Sequence, residues 1–357
     1  MSSASARPSI SPHFLPVRPD WLARRQEEVI DPDLPIIDPH HHLWDRPGDP
    51  YMLPELLADT GTGHRIAATL FVECRAMYRA RGPAELRSLG ETEFVNGIAA
   101  MSASGAYGPT LACAGIIGNV DLRIGSRAGP VLEAHMARAG NRFRGIRNVS
   151  AWHAGDEIKA TTANPPPGLL RDRAFREGFA CLAPRGLTFD AWLLHTQLDD
   201  MLDLARAFPD TVMVLDHVGG PIGIGPYAGR RDEVFAVWSA GIRELAACTN
   251  VNVKIGGLAM RVTGFTFHER DLPPSSEELA AAWRPYVETC IGAFGVDRCM
   301  FESNFPVDKG MCSYQVLWNA FKRLTAGASA AEKAALFHDT AARVYGLPPA
   351  EDRPVTD

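Results

Sequence analysis

The chain is 357 residues long, 46% hydrophobic and 22% charged, with 36 Lys+Arg against 42 Asp+Glu. Folded as one body, a chain of this length would bury roughly three quarters of its extended surface, so a large apolar core is within reach. A formal net charge of −6 argues against nucleic acid and anionic membranes, which need a basic face, and points to small molecules as partners.

Residues 1–33 read as an N-terminal arm in which Pro8, Pro12, Pro16 and Pro19 prevent a long helix, while Phe14 and Trp21 can pack on the body. No apolar segment of signal-peptide type opens the chain. The longest uncharged stretch, residues 94–120, is broken by Ser, Asn, Gly and Pro and makes a poor membrane span. Seven cysteines without a CxxC pair fit scattered buried thiols in a reduced compartment, so a cytoplasmic protein is expected.

From residue 34 onward, short apolar runs alternate with helical stretches. The runs are 35–40, 67–73, 111–118, 143–148, 188–194, 211–217, 250–256 and 298–304. Helical character falls at 52–59, 83–101, 130–139, 169–182, 198–208, 231–248, 276–294 and 313–326, the first of these being short. Runs rich in Val, Ile and Leu without strict alternation suit parallel strands covered on both faces. Eight strand-then-helix units most simply close into an α/β fold of (β/α)8 TIM-barrel type, here a single domain over 34–350 with a C-terminal helix and a tail at 351–357. An open doubly wound sheet is the alternative, but no GxGxxG opens a helix after the first strand. The long connections 149–167, 219–230 and 257–274 each follow a strand, so they would wall the C-terminal mouth, where barrel active sites lie.

The strongest local signal is Asp38-Pro39-His40-His41-His42-Leu43-Trp44-Asp45 at the end of the first run. Side chains alternate on a strand, so His40 and His42 point the same way and can grip one cation, with His41 turned elsewhere. Three adjacent histidines also fit a plain polar turn. His195 after the fifth run and His217 at the end of the sixth would bring four imidazoles to one barrel mouth, a donor set that zinc accepts readily and manganese or cobalt can share. Glu302 and Asn304 share a face of the last strand, with Glu302 one layer deeper. A barrel glutamate is costly unless paired, so an ion pair of Glu302 with Lys254 or Arg147 is the structural counterpart to a catalytic role. Glu73 reads as a salt-bridged rim residue. Arg147 could hold a carboxylate bidentately, and Lys254 could bind an anionic group. In the long loops Trp152, His153, Arg261 and His268 are candidate pocket residues, though loop residues of these types are often only surface. No GxSxG elbow and no nucleophilic-cysteine motif suggests acyl-enzyme chemistry.

Taken together, the Asp38 to Asp45 segment, Phe143-Arg144-Gly145-Ile146-Arg147, Leu215 to Pro221, Val253-Lys254-Ile255, Phe301-Glu302-Ser303-Asn304-Phe305-Pro306 and Ala341 to Leu347 resemble the amidohydrolase superfamily. The likeness is to its amidohydrolase-related branch, which includes lactone hydrolases such as L-fuconolactonase and 2-pyrone-4,6-dicarboxylate lactonase. It implies the barrel, a divalent metal or its vestige at His40 and His42, and hydrolysis at a carbonyl. One departure stands out. The family's last strand normally ends in an aspartate that serves as ligand and base, and here that position is Asn304, a neutral amide that cannot take a proton.

The expected function is therefore opening of a small lactone, or a related ester or amide, by metal-activated water. His40 and His42 would be ligands with His195 or His217, Glu302 or an imidazole off the metal would accept the proton, and Arg147 and Lys254 would orient an anionic or oxygen-rich substrate. Decarboxylation or hydration of an aromatic or dicarboxylic acid on the same barrel is the second reading, and a barrel that only binds its ligand is the third. Oligomeric state, with a homodimer as one option, is left open by the sequence.

Overall fold

The computed structural model describes residues 14–347 apart from 160, 162 and 164. The first 13 residues of the arm, the last three of the expected barrel span and the tail at 351–357 lie outside the described residues. Ten strands are present among the described residues: β1 (Ile36–His41), β2 (Trp44–Arg46), β3 (Asp49–Tyr51), β4 (Ile66–Val72), β5 (Leu111–Gly118), β6 (Phe143–Val149), β7 (Thr188–Trp192), β8 (Met213–Leu215), β9 (Val251–Ile255) and β10 (Cys299–Phe301). Eight of them form one parallel sheet in the order β1-β4-β5-β6-β7-β8-β9-β10, matching the eight apolar runs. The sheet nearly closes on itself just beyond the strand ends, where the Asn304 N–H donates to the His40 carbonyl at 2.9 Å and the His42 N–H to the Phe305 carbonyl at 2.8 Å. Asp38 reinforces the seam by accepting the Ser303 N–H at 3.0 Å.

Strand alternation sorts the apolar residues into two clusters. Ile37, Leu70, Val72, Ile117, Val214 and Met300 fill the barrel floor together with Ala341, Tyr345 and Leu347. Ile36, Phe71, Ile116, Leu215, Val253 and Phe301 face the surrounding helices. Burial on both faces is why these strands lack a polar side, and the inward charged groups gather near the C-terminal mouth. The helices are α1 (Pro19–Leu22), α2 (Leu53–Thr60), α3 (Leu89–Ala103), α4 (Ala128–Ala139), α5 (Arg173–Phe179), α6 (Leu198–Ala207), α7 (Arg231–Leu245), α8 (Ser276–Phe294), α9 (Tyr314–Leu324), α10 (Ala330–Ala334) and α11 (Thr340–Tyr345). Local signals set several of their starts. Ser275 and Glu278 form a capping box at α8, and Ser313 caps α9 through the Val316 N–H.

Two features differ from the sequence expectation. The first unit holds the antiparallel hairpin β2–β3 as well as a short helix, and Trp44 pairs there with Tyr51. The strands β8 and β10 end early, so His217 and Asn304 lie in turns, both in the left-handed region at φ 55° and 54°. From the arm, Trp21 is buried and its indole N–H donates to the Arg270 carbonyl at 3.0 Å, tying α1 to the loop after β9. Phe14 stacks near Trp44, with ring centres 6.3 Å apart. No helix among the described residues is long and apolar enough to cross a membrane.

Candidate active site

The centre of the mouth is built from inward side chains of seven strands or their ends. A register shift between Asp38 and His41 marks β1, where Pro39 has no N–H to give the ladder. That shift turns His40 into the barrel and sends His41 outward, where its Nε2 meets the Thr69 hydroxyl at 2.8 Å and its ring packs on Phe71. His40 and His42 lie side by side, with ring centres 5.0 Å apart, as the alternation requires.

Glu302 lies beneath two imidazoles. Its Oε2 is 2.7 Å from His40 Nδ1 and its Oε1 is 2.6 Å from His217 Nδ1, and Oε1 also accepts the His217 backbone N–H at 3.1 Å. Burial opposes its ionisation, but His217 and His40 outweigh that and hold its pKa near 2. A carboxylate on both Nδ1 atoms fixes the tautomers and leaves the lone pairs on Nε2, the second-shell pattern of metal-binding histidines. His42 follows the same rule with a different partner, since its Nδ1 is bonded to the Val72 carbonyl at 2.8 Å.

Two buried cations flank this trio. Arg147 from β6 spends Nε on Glu73 at 3.0 Å and Nη2 on the Glu73 carbonyl at 2.5 Å, and brings Nη1 to 3.3 Å from His40 Nε2. The expected pairing of Glu73 is thus present, but beneath the rim: Glu73 is buried. Lys254 from β9 binds Asp190 at 2.5 Å and sits 3.4 Å from both Asp216 and His40 Nδ1. Asp190 accepts a further bond from Tyr345 at 2.8 Å, so α11 at the barrel floor reaches the same network. Burial pushes Lys254 toward its neutral form, yet Asp190, Asp216 and Glu302 outweigh it and keep it charged. Burial likewise opposes ionisation of Asp216, and Lys254 and His40 hold it well below the ordinary carboxylate range.

Asp190 and Asp216 carry the network and escaped assignment in the sequence. The available signal was an acid inside an apolar strand run, in Thr-Phe-Asp-Ala-Trp and Val-Leu-Asp-His.

His40, Asp216 and His217 are spaced to hold a metal ion, with ligand atoms within 4.8 Å of one another. Three observations fit that use. The imidazole tautomers are set by Glu302; both Asp216 oxygens are buried without a hydrogen-bond partner among the described residues; and four buried carboxylates, Glu73, Asp190, Asp216 and Glu302, face only two buried cations, Arg147 and Lys254. The two uncompensated negative charges are what a divalent cation would neutralise.

His195 stands apart from this group. Its Nδ1 accepts the Ile222 N–H at 3.3 Å and its ring packs on Tyr227 at 5.4 Å. His153 joins it through Tyr227, with Nε2 3.4 Å from the hydroxyl. Trp152 is half-buried with its backbone N–H on Gln197, and Arg261 is exposed in the loop after β9. His268 lies 3.9 Å from Glu269 in that same loop. None of these five lines the pocket above His42 and His217, whereas Arg147, Glu73, Trp44, Trp192 and Asn304 do. Asn304 donates its Nδ2 to Asp308 Oδ1 at 2.8 Å, an orientation that leaves its Oδ1 as the acceptor for the pocket.

Comparison with known proteins agrees with this architecture. A family model described as amidohydrolase matches residues 37–347. The uncharacterized protein y4mH of Sinorhizobium fredii is 37% identical over 335 residues, covering 88% of this chain and 99% of that protein. An L-fucono-1,5-lactonase of Burkholderia multivorans is 28% identical over 336 residues, covering 89% and 98% of the two chains. Among solved structures, an amidohydrolase from Burkholderia multivorans with bound zinc superposes with a TM-score of 0.61 at 26% identity, covering 88% of this chain and 99% of that one. The nearly closed ring of eight parallel strands, the paired histidines at the end of β1 and the family match over nearly the whole described chain make this protein a member of the amidohydrolase family.

Proposed function

We propose that the protein is a hydrolase that opens a small lactone. The observation that carries the reading is Glu302 bridging His40 and His217 at 2.7 and 2.6 Å, which presents two imidazoles of fixed tautomer beside a buried Asp216 whose oxygens accept no hydrogen bond among the described residues. Similarity to the L-fucono-1,5-lactonase supports a lactone as the carbonyl substrate.

His40, Asp216 and His217 would hold a divalent cation, zinc by the precedent of the Burkholderia structure. Bound there, the ion would acidify water and polarise the lactone carbonyl. The chain's own groups do the rest. Asn304 Oδ1 accepts a hydrogen bond from the attacking water and orients it, but as an amide it takes no proton. His42 lines the pocket with Nδ1 spent on Val72 and Nε2 free to accept; burial, then His40 and Arg147, hold it well below the ordinary imidazole range, so it passes that proton on to the departing ring oxygen without retaining it. Arg147, held by Glu73 on two sides and with Nη1 beside His40 at the pocket wall, places a fixed positive charge near the oxygen on which charge develops. Glu302 has both oxygens engaged and acts as the orienting partner of the imidazoles instead of as the base.

A panel of γ- and δ-lactones followed by pH-stat titration tests this. Acid release proportional to enzyme is expected. Release of carbon dioxide from aromatic acids with no lactone opened would replace this reading with the decarboxylase one, and neither activity would leave a binding-only barrel.

A further inference from the structure

The loop that leaves β4 holds Arg75 in the left-handed region at φ 66°, a conformation a non-glycine residue adopts only when its surroundings impose it. What imposes it is Glu91 of α3. This buried carboxylate accepts the N–H of Cys74 at 3.0 Å and of Ala76 at 2.8 Å, gripping the backbone on both sides of Arg75. Cys74 is fixed further by its Sγ contact with the Leu43 carbonyl at 3.3 Å.

The clamped arginine stands between two compartments. One is the inner pocket above His42 and His217, of about 60 Å³. The other is a larger cleft of about 260 Å³ at the mouths of β4, β5 and β6. Glu73, Arg75, Val149 and Ala163 line both, so the two adjoin at these residues. Most polar groups of the outer cleft are already engaged. Arg123 is closed on Asp121 by two bonds of 2.8 Å, the Asn119 amide donates to the Arg147 carbonyl, and the Asn148 amide donates to the Val120 carbonyl. Two are not engaged. Arg75 has no hydrogen-bond or ion-pair partner among the described residues, its charge reaching Glu73 and Tyr78 at longer range, and the Tyr78 hydroxyl is buried without a partner.

We propose that this outer cleft is a second subsite, in which Arg75 and the Tyr78 hydroxyl bind a carboxylate carried on an arm of the substrate. One unengaged guanidinium beside one hydroxyl donor suits a single negative charge. Glu73, Glu85 and Asp121 around the cleft disfavour a dianionic phosphate. The inference rests on the lactonase reading for its inner half only: the ring occupies the histidine pocket and the acidic arm lies outward, so the preferred lactone is acidic and its product a dicarboxylate.

Titration calorimetry with glutarate and butyrate, on the wild type, Arg75→Gly and Tyr78→Phe, tests the subsite without turnover. Glycine suits φ 66° at position 75, so that variant is expected to fold. The wild type should bind glutarate at least about tenfold tighter than butyrate, and Arg75→Gly should erase the difference. Equal binding by the wild type, no binding of either acid, or a difference that survives Arg75→Gly would overturn the proposal. Kinetics on a δ-lactone bearing a carboxylate and on its methyl ester separate the two readings. If the acid is favoured at least about tenfold in kcat/KM and Arg75→Gly collapses that ratio, both hold. Lactones opened with no preference for the acid would sink the subsite alone. A glutarate preference that depends on Arg75, with no lactone opened, would sink the lactonase reading alone.

Discussion

Glu302 Oε1 lies 2.6 Å from His217 Nδ1 and also accepts the backbone N–H of His217, so one carboxylate oxygen fixes both the ring and the main chain of the β8 turn. The second oxygen does the same for the His40 ring at 2.7 Å. Glutamine at this position keeps the shape but must turn its NH2 toward one of the two imidazoles, which forces that ring to accept at Nδ1 and carry its proton on Nε2. Glu302→Gln should therefore lower kcat by about tenfold to a hundredfold, with an unchanged circular dichroism spectrum. A folded variant within threefold of the wild type would remove Glu302 from the site's chemistry.

Arg147 and Glu73 form a buried pair in which Nε and Nη2 are both engaged, so neither partner is replaceable alone. Arg147→Met would leave the Glu73 carboxylate buried and unpaired, at a cost of about 3–5 kcal/mol, and Glu73→Leu on the same background should recover most of it. Both variants should lack activity because Nη1 is gone. Urea denaturation of the two single variants and the double variant gives the coupling energy, and strict additivity would show that the pair is not a unit.

The barrel and the histidine pair were legible because they rest on short-range rules. Apolar runs specify strands buried on both faces, and alternation over three residues brings His40 beside His42. What was not legible depends on places where the chain leaves those rules. The early end of β8 and the left-handed turns at His217 and Asn304 decide which groups face the pocket, and no local pattern announces them. His195 looked equivalent to His217 from its strand-end position, yet the loop carrying Ile222 and Tyr227 claims it. Asp190 and Tyr345 meet across 155 residues of sequence, a contact that only the closure of the barrel floor by α11 creates.

Asn304 and Asp308 share a bond of 2.8 Å in which the amide donates. Burial already pushes Asp308 up to about 7. Asn304→Asp restores the carboxylate usual in the family but sets it against Asp308, and two carboxylates at that distance cannot both ionise. The raised pair should hold a proton that the unfolded chain releases near pH 4, so stability falls as pH rises from there through neutrality. The variant should lose more Tm between pH 6 and 8.5 than the wild type and retain more zinc after dialysis. Equal Tm losses in the two proteins would show that the new carboxylate has moved away from Asp308.

Glu91 and Glu73 are neighbouring buried acids with different fates. Glu73 has Arg147 against it, whereas Glu91 accepts only backbone N–H groups and leaves Oε2 without a partner among the described residues. Burial, and next the charge of Glu73, push the Glu91 pKa up to about 8. A folded-state pKa above the unfolded value near 4.5 means the contribution is complete below pH 4.5 and is lost as pH rises to about 8. Glutamine mimics the protonated acid and keeps the acceptor for Cys74 and Ala76. Tm measured from pH 4.5 to 9 should fall less for Glu91→Gln than for the wild type, and the two curves should run parallel above pH 8. Parallel curves across the whole range would show that Glu91 is ionised in the folded protein, with the N–H groups of Cys74 and Ala76 outweighing its burial.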